Sequence, residues 1–525
     1  MNGEVVSVPK IDIRPDYWEI VQGILRKHVP EYEVWAFGSR AKWTAKEYSD
    51  LDLAIVSDHP VSLDVIAALA DEFSESELPW KVDLVDWATT NESFRKIIER
   101  DRVVVQKAGG LGLQSEWRTG RLGDFVELKR GYDLPQAKRV AGQIPLVSSS
   151  GISDTHHESM VKGPGVVTGR YGTLGQVFYI EHDFWPLNTT LYVRDFKGND
   201  PKFVRYFLQT FDFFAFSDKA AVPGVNRNHL HEALVSMPPL HIQREIANVL
   251  SSLDDRIDLL RQTNATLESI ARALFKSWFI DFDPVRAKAE GREPEGMDAE
   301  TAELFPDSFE DSALGEIPKM WAVSEVGRVA KCVGGGTPST KDEKFWEPAI
   351  HHWTTPKDLS GIAAPVLLNT ERKLSDAGLA KVSSGLLPAG TLLMSSRAPI
   401  GYLAISAIEV AVNQGYIAMP PGGTLPPVYL YFWCQANMNA IKQKANGSTF
   451  MEISKTAFRP IPLILPAATV VSRFTELAES LFASITEGER QALQLSQIRD
   501  TLLPRLISGK LRLPEAEAKL NEALA

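Results

Sequence analysis

The segment PLHIQREIANVLSSLDDRIDLLRQTNATLESIARALFKSWF, residues 239–279, decides how this chain is organised. Its seam positions recur at steps of four and three without a break, at Ile242, Ile246, Val249, Leu253, Ile257, Leu260, Asn264, Leu267, Ala271, Leu274 and Trp278. This is the seam spacing of a coiled coil, and it predicts a helix about 55 Å long. A looser series predicts a second long helix, at Val470, Phe474, Leu477, Leu481, Ile485, Gly488, Ala492, Leu495, Ile498, Leu502 and Leu506.

Both predicted helices carry a long apolar stripe that must be covered. About five heptads exceed what one small domain can bury, so we expect the helices to pair with each other; the alternative is that each packs on its own neighbouring module. Gly488 is the weak point of the second seam. Asn264 either sets the register of the pair or is an exposed residue at a frayed seam. Trp278 and Phe279 lie either in a core or on a surface for a partner.

The segments that precede the two helices are copies of one module. Gly165, Asn188, Lys219 and Leu240 recur as Gly390, Asn413, Lys444 and Leu465, each 225 residues later. A period this long indicates two whole modules rather than a solenoid. Short apolar strands punctuated by Gly and Pro predict a mixed α/β fold for each. Because the spacing is kept while the sequences differ, the pattern suits two halves that share a fold and contact different things.

The fold class expected from these patterns is an α/β multidomain protein with two repeated α/β modules and two long helices that pair in a coiled coil. The N-terminal segment alternates helical and strand patterns and forms a further α/β domain. The predicted boundaries are 1–107 for this domain, 108–116 for a linker, 117–240 for the first module, 241–282 for the first helix, 283–316 for an acidic linker, 317–466 for the second module, 467–513 for the second helix and 514–525 for a tail.

The distribution of charge is more informative than the net charge of −11. The acidity lies in residues 1–110, with 13 Lys+Arg against 20 Asp+Glu, and in residues 241–317, with 8 against 17. Residues 117–240 carry 14 against 12, and residues 318–466 carry 14 against 9. The modules are therefore the positive part of the chain, which is weak evidence for phosphate contacts.

Two cysteines, Cys332 and Cys434, give neither a disulfide framework nor a metal-ligand spacing. The N-terminus has no signal-peptide pattern, and no window approaches the roughly 20 apolar residues of a membrane span. We therefore expect a cytoplasmic protein without membrane contact.

Several motifs together resemble the specificity subunit of type I restriction–modification systems. They are the helix sequence quoted above with its continuation IDFDPVRAK, followed by GEIPKMWAV, GGGTPST, HHWTTPKDL and IRDTLLPRLISGKL, and they cover roughly residues 117–513. The resemblance implies that the two modules are target-recognition domains, each reading one half of a bipartite site in double-stranded DNA. It implies that the long helices form an antiparallel coiled coil that holds the halves apart. It also implies that methylation subunits, two by expectation, and restriction subunits dock on this chain.

Base choice would come from polar side chains on loops that reach base edges, mainly in the major groove, while others hold phosphates. The alternative for each is an ordinary polar turn residue. The candidates are Arg170, Tyr171, Thr173, Asn226 and Arg227 in the first module and Thr337, Ser339, Lys341, Lys357, Arg397, Ser448 and Thr449 in the second.

Other catalytic interpretations of the modules are weaker. The stretch GGGTPSTK (334–341) lacks the spacing of a phosphate-binding P-loop. The pairs His156–His157 and His351–His352 suggest a metal, but adjacent histidines on a strand point apart and no third ligand is evident, so we expect solvent or loop positions. The chain has no amino-methyltransferase tetrad, so the resemblance assigns S-adenosylmethionine to the methylation subunit, and DNA recognition itself is expected to need no cofactor.

The N-terminal sequence WAFGSRAKWTAKEYSDLDLAIV, followed by KVDLVDW, resembles the minimal nucleotidyltransferase domain of the DNA polymerase β superfamily in its antitoxin-like form. Gly38 and Ser39 would approach a triphosphate, and Arg40 would pair with a phosphate. Asp50, Asp52 and Asp83 would hold Mg²⁺ ions that activate the attacking hydroxyl. Asp50 and Asp52 fall on one face of a strand. Trp43 stands where the family has a glycine, which puts the loop geometry in doubt and leaves a scaffold or partner-binding role open.

Two function classes therefore remain. The first is a non-catalytic DNA-specificity subunit that recruits methylation and restriction subunits. The second is an enzyme whose N-terminal domain modifies a protein, an RNA or a nucleotide. A coiled-coil interaction protein is a third class, which the two globular modules disfavour.

Overall fold

The computed structural model describes residues 11–30, 32–46, 48–57, 60–106, 117–218, 224–447, 451–511 and 513–516. The predicted linker 108–116, Lys219, and the candidates Ser448 and Thr449 lie outside these ranges. The chain divides into two compact units, Met1–Leu250 with Leu502–Ala525, and Ser251–Thr501. No helix in the described part of the chain is long and apolar enough to cross a membrane.

The N-terminal domain, in the first unit, is built on a four-stranded sheet of order β3-β2-β1-β4. Strands β1 and β2 are antiparallel and β2 and β3 parallel. Buried Trp18, Val21 and Leu25 of the first helix contribute to its core. Its elements are α1 (Pro15–His28), β1 (Glu33–Phe37), α2 (Gly38–Ala41), β2 (Leu51–Val56), α3 (Leu63–Glu75), β3 (Val82–Asp86), α4 (Glu92–Asp101) and β4 (Val103–Gln106).

The first module, in the same unit, has a four-stranded sheet β10-β9-β12-β6 and a three-stranded sheet β11-β7-β8. The short pairs β13-β14 and β15-β5 complete it. Its elements are β5 (Arg118–Arg121), α5 (Leu122–Phe125), β6 (Glu127–Arg130), β7 (Ile144–Ser148), β8 (Gly151–His156), β9 (Gly165–Gly169), β10 (Val177–Ile180), β11 (Trp185–Pro186), β12 (Thr190–Asp195), α6 (Pro201–Gln209), β13 (Ser217–Asp218), β14 (Gly224–Val225), α7 (Arg227–His231) and β15 (Leu234–Met237).

The first long helix, α8 (Leu240–Phe279), follows the first module, and the predicted acidic linker 283–316 comes next. This segment is folded, contrary to the expectation of a plain connection. It forms α9 (Asp283–Ala289), α10 (Ala299–Glu303) and a hairpin of β16 (Phe309–Ser312) with β17 (Gly315–Pro318). Val285 and Phe305 are buried in the core of the second unit, so a few apolar anchors hold this charged segment in place.

The second module, in the second unit, has sheets of order β20-β23-β22-β25 and β21-β19-β24, and a pair β18-β26. Its elements are β18 (Ala322–Glu325), α11 (Val326–Val329), β19 (His351–Thr354), α12 (Pro356–Leu359), β20 (Val366–Leu367), β21 (Arg372–Leu374), α13 (Asp376–Leu379), β22 (Leu392–Ser395), β23 (Leu403–Ser406), β24 (Ala411–Val412), β25 (Tyr416–Met419), α14 (Pro427–Ala436), α15 (Met438–Gln443), α16 (Lys455–Phe458) and β26 (Pro462–Leu465). The second long helix is α17 (Ala468–Ile507).

The two modules share three strands of their four-stranded sheets, β10-β9-β12 and β23-β22-β25, while the fourth strand lies on opposite edges, β6 beside β12 and β20 beside β23. In the first, Gly169 pairs with Thr190 across β9 and β12; in the second, Ser395 pairs with Tyr416 across β22 and β25. These equivalent residues differ by 226 in number, and the starts of α8 and α17 differ by 228. The repeat is therefore real, but its structural register is one to three residues longer than the 225 of the sequence landmarks.

The long helices pack against each other in the second unit and run antiparallel. Phe275 on α8 contacts Phe474 near the start of α17, with ring centroids 5.6 Å apart. Asp254, in the N-terminal half of α8, accepts a hydrogen bond of 2.8 Å from Arg499, which lies near the C-terminal end of α17. The predicted pairing of the helices is therefore confirmed. Trp278 and Phe279 are 2% and 5% exposed, which places both in the core rather than on a contact surface.

The polar residue at the predicted seam faces the seam's weak point. Asn264 is 3% exposed, so it is not at a frayed edge. A Cβ built on Gly488 would lie 2.5 Å from Asn264 Oδ1. The glycine thus provides the space that the buried amide occupies.

Candidate functional site

A cleft of about 490 Å³ in the first module gathers four of its five candidate residues. Arg170, Tyr171, Asn226 and Arg227 line it, whereas Thr173 is not among its lining residues. The remaining lining residues are Lys129, Arg130, Gly131, Tyr132, Leu191, Gly224 and Val225. The candidates form two adjacent pairs, 170–171 and 226–227, that lie more than 50 residues apart in the sequence, so the fold brings the pairs together.

Backbone hydrogen bonds fix the two loops that carry these side chains. The Val225 N–H donates to the Arg170 carbonyl at 3.0 Å, and Tyr171 forms an isolated bridge with Gly224. A Cβ on Gly224 would overlap the Tyr171 ring, so a glycine is required for this approach. Asn226 then caps helix α7 by accepting from the Asn228 N–H, and Arg227 is the exposed first residue of that helix.

The cleft is cationic. The Arg170 guanidinium lies 4.5 Å from the centroid of the Tyr171 ring. The Lys129 ammonium lies 3.4 Å from the Tyr132 hydroxyl, and Arg130 is hydrogen-bonded to Asp133. Arginine and lysine with tyrosine are groups suited to phosphates and base edges. Sequence reasoning missed Lys129 and Arg130; their signal was a cation pair at the end of a strand, directly before Gly131.

The candidates of the second module make separate contacts. The Thr337 hydroxyl donates to Gln414 Oε1 at 2.6 Å, and the Ser339 carbonyl accepts from the Trp346 indole at 3.0 Å. Lys341 is exposed. The remaining two described candidates form ion pairs, Lys357 with Glu371 at 2.7 Å and Arg397 with Glu452 at 3.7 Å.

The structure corrects the expectation for the first histidine pair. Strand β8 ends at His156, so the side chains of His156 and His157 need not point to opposite faces of a strand. The centroids of the two rings lie 4.4 Å apart. Donor atoms of His156, His157 and Glu158 lie within 4.8 Å of one another, so Glu158 is a third potential donor that the sequence did not reveal. His156 is 3% exposed rather than solvent-facing. His351 and His352 instead bond Asp376 and Thr370.

In the N-terminal domain, the predicted acidic residues lie at one edge of the sheet. Asp52 and Asp83 are register partners on the parallel strands β2 and β3, and Asp52 also faces Phe37 across β1. Gly38 follows Phe37 with a φ of 74°, and a Cβ there would overlap the Asp52 carboxylate. Both observations require glycine at position 38. The Gly-Ser turn and the carboxylates are therefore neighbours, as a nucleotidyl-transfer site needs.

The aspartates repel one another electrostatically. Burial raises the pKa of Asp52, and the nearby Asp83 and Asp50 raise it further. Carboxylate oxygens are ligands that Mg²⁺ prefers, and a divalent cation would relieve this repulsion, so the donor set fits the metal. The donor atoms of all three do not lie within 4.8 Å of one another, and Lys81 holds Asp83 in an ion pair.

Arg40 has a structural place rather than a free guanidinium. It is 6% exposed, donates two hydrogen bonds to the Ser49 carbonyl and one to the Asp12 carbonyl, and stacks on Trp80. Its donors are committed to the loop that leads into Asp50. The expectation that Arg40 pairs with a phosphate is thus not met by this geometry.

Trp43 has the backbone conformation that a glycine would adopt with least strain. Its φ is 58°, and its side chain is 62% exposed. A bulky residue at positive φ is an outlier. The tryptophan of this chain therefore occupies a left-handed backbone position that a glycine would adopt with less strain.

A family model for the type I restriction modification DNA specificity domain matches residues 114–269 and 318–491, which is more than half of the chain. The chain belongs to the type I restriction–modification specificity family. A specificity subunit of the HindI enzyme of Haemophilus influenzae is 26% identical over 342 residues, or 57% of this chain and 74% of the relative. The MjaIX specificity subunit of Methanocaldococcus jannaschii is 32% identical over 196 residues, 36% of this chain and 45% of the relative.

This specificity-family chain carries an additional nucleotidyltransferase domain. The family model for polymerase β nucleotidyltransferases matches residues 19–108. The probable protein adenylyltransferase MntA of Haemophilus influenzae is 52% identical over 103 residues, which is 20% of this chain and 90% of the relative.

Proposed function

We propose that this chain reads a bipartite site in double-stranded DNA, with one module on each half, and recruits methylation subunits, two per chain, and restriction subunits. The observation that carries the proposal is the cationic cleft between Arg170 and Arg227, on a module that occurs twice. Phosphate contacts orient a protein on the duplex, while polar groups on the same loops read base edges. The paired helices would set the separation of the two half-sites.

The experiment is to co-express the chain with its neighbouring methylation subunit in a methylation-free host and to sequence the genome for modified adenine. The expected result is one bipartite motif with a fixed spacer. Exchanging residues 117–240 for those of a relative should change one half of the motif only. A stable complex without any modification would contradict the proposal.

A second activity is proposed for the N-terminal domain, supported by the approach of Gly38 to Asp52 at the edge that also carries Asp50 and Asp83. Asp50, Asp52 and Asp83 would hold Mg²⁺, which would neutralise charge on a nucleoside triphosphate and activate an acceptor hydroxyl. Gly38 and Ser39 would present backbone N–H groups to its phosphates, and Arg40 would fix the loop.

The two activities are separable by mutation. Asp50→Ala with Asp52→Ala should abolish transfer of labelled nucleotide from ATP to protein or RNA in a lysate, and should leave the methylation motif unchanged. Loss of methylation in this variant would instead join the N-terminal domain to DNA recognition. Ser57→Ala, which lies beyond the end of β2, serves as the matched control.

A further inference from the structure

The structure permits a residue-by-residue comparison of the two modules at the DNA cleft. In the first, the Arg170 N–H donates to the Thr189 carbonyl and the Arg170 carbonyl accepts from Val225, at 2.8 and 3.0 Å. In the second, the Ser396 N–H donates to the Gly415 carbonyl and the Ser396 carbonyl accepts from Ile453, also at 2.8 and 3.0 Å. Ser396 is therefore the counterpart of Arg170.

The neighbouring positions follow the same correspondence. The isolated bridge of Tyr171 with Gly224 has its equivalent in the bridge of Arg397 with Glu452. Asn226 caps α7, and Ser454 caps α16 by accepting from the Ala457 N–H. Lys455, the exposed first residue of α16, thus takes the position of Arg227. Neither the sequence motifs nor the module landmarks at a spacing of 225 identify it.

The side chains at these equivalent positions differ in charge. In the cleft of the first module, Lys129, Arg170 and Arg227 are cations without a carboxylate partner among the described residues. Arg130 donates a hydrogen bond to the Asp133 carboxylate. In the second, Ser396 is neutral and 3% exposed. Arg397 is paired with Glu452 at 3.7 Å. Lys455 remains as the cation, with its ammonium beside Gly334.

Part of the larger positive charge of the second module lies on groups that make contacts within the protein. Arg459 donates to the Cys332 carbonyl, Arg372 stacks on Trp346, and Lys357 is paired with Glu371. These groups are engaged within the protein. The net charge of a module therefore does not give the number of its cations that are free to contact a phosphate.

We infer that Lys455 is a DNA-phosphate contact of the second module, and that the first module supplies most of the electrostatic affinity of the chain for DNA. This rests on the proposed function. In a phosphate-dominated interface, the logarithm of the binding constant falls with the logarithm of salt concentration, with a slope of about 0.9 for each phosphate neutralised on B-form DNA. The two modules should therefore make unequal contributions to this slope.

The test uses the full chain with its methylation subunit and a fluorescent 40-bp duplex that contains the motif found by genome sequencing. Binding constants are measured between 50 and 300 mM KCl. Lys455→Gln should reduce the slope by about 0.9, and Lys129→Gln with Arg170→Gln and Arg227→Gln by about 2.7. The matched controls, exposed Lys319→Gln and Lys162→Gln, should leave the slope unchanged.

An unchanged slope for Lys455→Gln, or equal losses of slope for the variants of the two modules, would overturn the inference while the methylated motif still supports the proposed function. If the motif itself is absent, the proposed function fails first. Should the triple variant not fold, as judged by circular dichroism, Arg170→Gln replaces it. Arg170→Gln should reduce the slope by about 0.9, whereas Ser396→Ala should not change it; a slope unaltered by Arg170→Gln also overturns the inference.

Discussion

Gly488→Ala tests the buried layer in the middle of the paired helices. In an ordinary helix interior, this change stabilises by about 0.5–1 kcal/mol, because alanine loses less backbone entropy than glycine on folding. Here the new Cβ would lie 2.5 Å from Asn264 Oδ1, which is closer than any unstrained contact. Overpacking of a closed interior costs about 1–3 kcal/mol. The two effects leave a net destabilisation of about 1 kcal/mol.

Removing the amide should reverse the sign of this effect. In an Asn264→Ala background the obstruction is gone, so Gly488→Ala should stabilise by its ordinary helix contribution of about 0.5–1 kcal/mol. The difference between the two backgrounds is a coupling of roughly 2 kcal/mol, within the range for residues in contact. Asn264 Nδ2 is also buried without a hydrogen-bond partner among the described residues, so Asn264→Ala removes an unsatisfied group.

Hydrogen exchange followed by mass spectrometry measures this locally, on peptides covering residues 482–494 of the full chain. Gly488→Ala alone should reduce protection in these peptides about fivefold, which corresponds to about 1 kcal/mol. Ser484→Ala, at an exposed position of the same helix, is the control. Increased protection with Gly488→Ala in the presence of Asn264 would refute the reasoning, because it would mean that the amide does not occupy the space of a Cβ.

Three other perturbations follow from the described contacts. The raised pKa of Asp52 means that its ionised form is disfavoured in the folded state, so stability falls as pH rises through that pKa; Asp52→Asn should raise the melting temperature of the N-terminal domain at pH 7 and leave it unchanged below about pH 3.9, as followed by calorimetry. Arg40→Lys cannot reproduce the forked bonds to Ser49 and Asp12 and should destabilise that domain by about 1.5–3 kcal/mol in exchange experiments; equal protection would contradict the structural role. Deleting residues 258–264 together with 488–494 shortens each helix by about 10 Å and should shorten the spacer of the methylated motif by about 3 bp; an unchanged spacer would show that the helices do not set it.

The sequence predicted the architecture better than the site because the two depend on different kinds of information. Heptad steps and the alternation around Asp50 and Asp52 are local, so they predicted the long helices and the acidic strand correctly. Whether a side chain points into a core is not local. Arg40 has the same neighbours in sequence whether its guanidinium meets a phosphate or, as found, the Ser49 carbonyl.

The position of Lys455 in the second module could not be found from sequence for a related reason. The correspondence of Lys455 with Arg227 depends on contacts between distant segments, such as the backbone hydrogen bond from Ile453 to Ser396, more than 50 residues apart. The prediction of a linker at 283–316 was wrong for the opposite reason. Its composition is that of a linker, while a few apolar residues, among them Val285 and Phe305, anchor it in a core. A few buried apolar residues change the average composition of a sequence window too little to be detected.

The bridge pairs provide a prediction about how a repeated backbone reads different half-sites. Tyr171 packs over Gly224, and its counterpart Arg397 faces Glu452, so each position tolerates its side chain because of the partner across the bridge. Tyr171→Arg alone should weaken methylation of the first half-site, since it removes an aromatic contact and leaves the new cation unpaired. Tyr171→Arg with Gly224→Glu gives the first module the same arginine–glutamate pair that Arg397 and Glu452 form in the second module.

The double variant should therefore methylate DNA with an altered first half-site and an unchanged second half-site and spacer. Gly224→Glu alone should lose activity, because any Cβ at position 224 overlaps the Tyr171 ring. Genome-wide mapping of modified adenine distinguishes these results. If the double variant recognises the original motif, the bridge pair has no part in base choice, and specificity in this module resides with Arg170, Asn226 and Arg227 alone. If the motif changes only in its first half, then the conserved element of the repeat is the backbone frame, and the pair across each bridge is the unit that determines which bases it accepts.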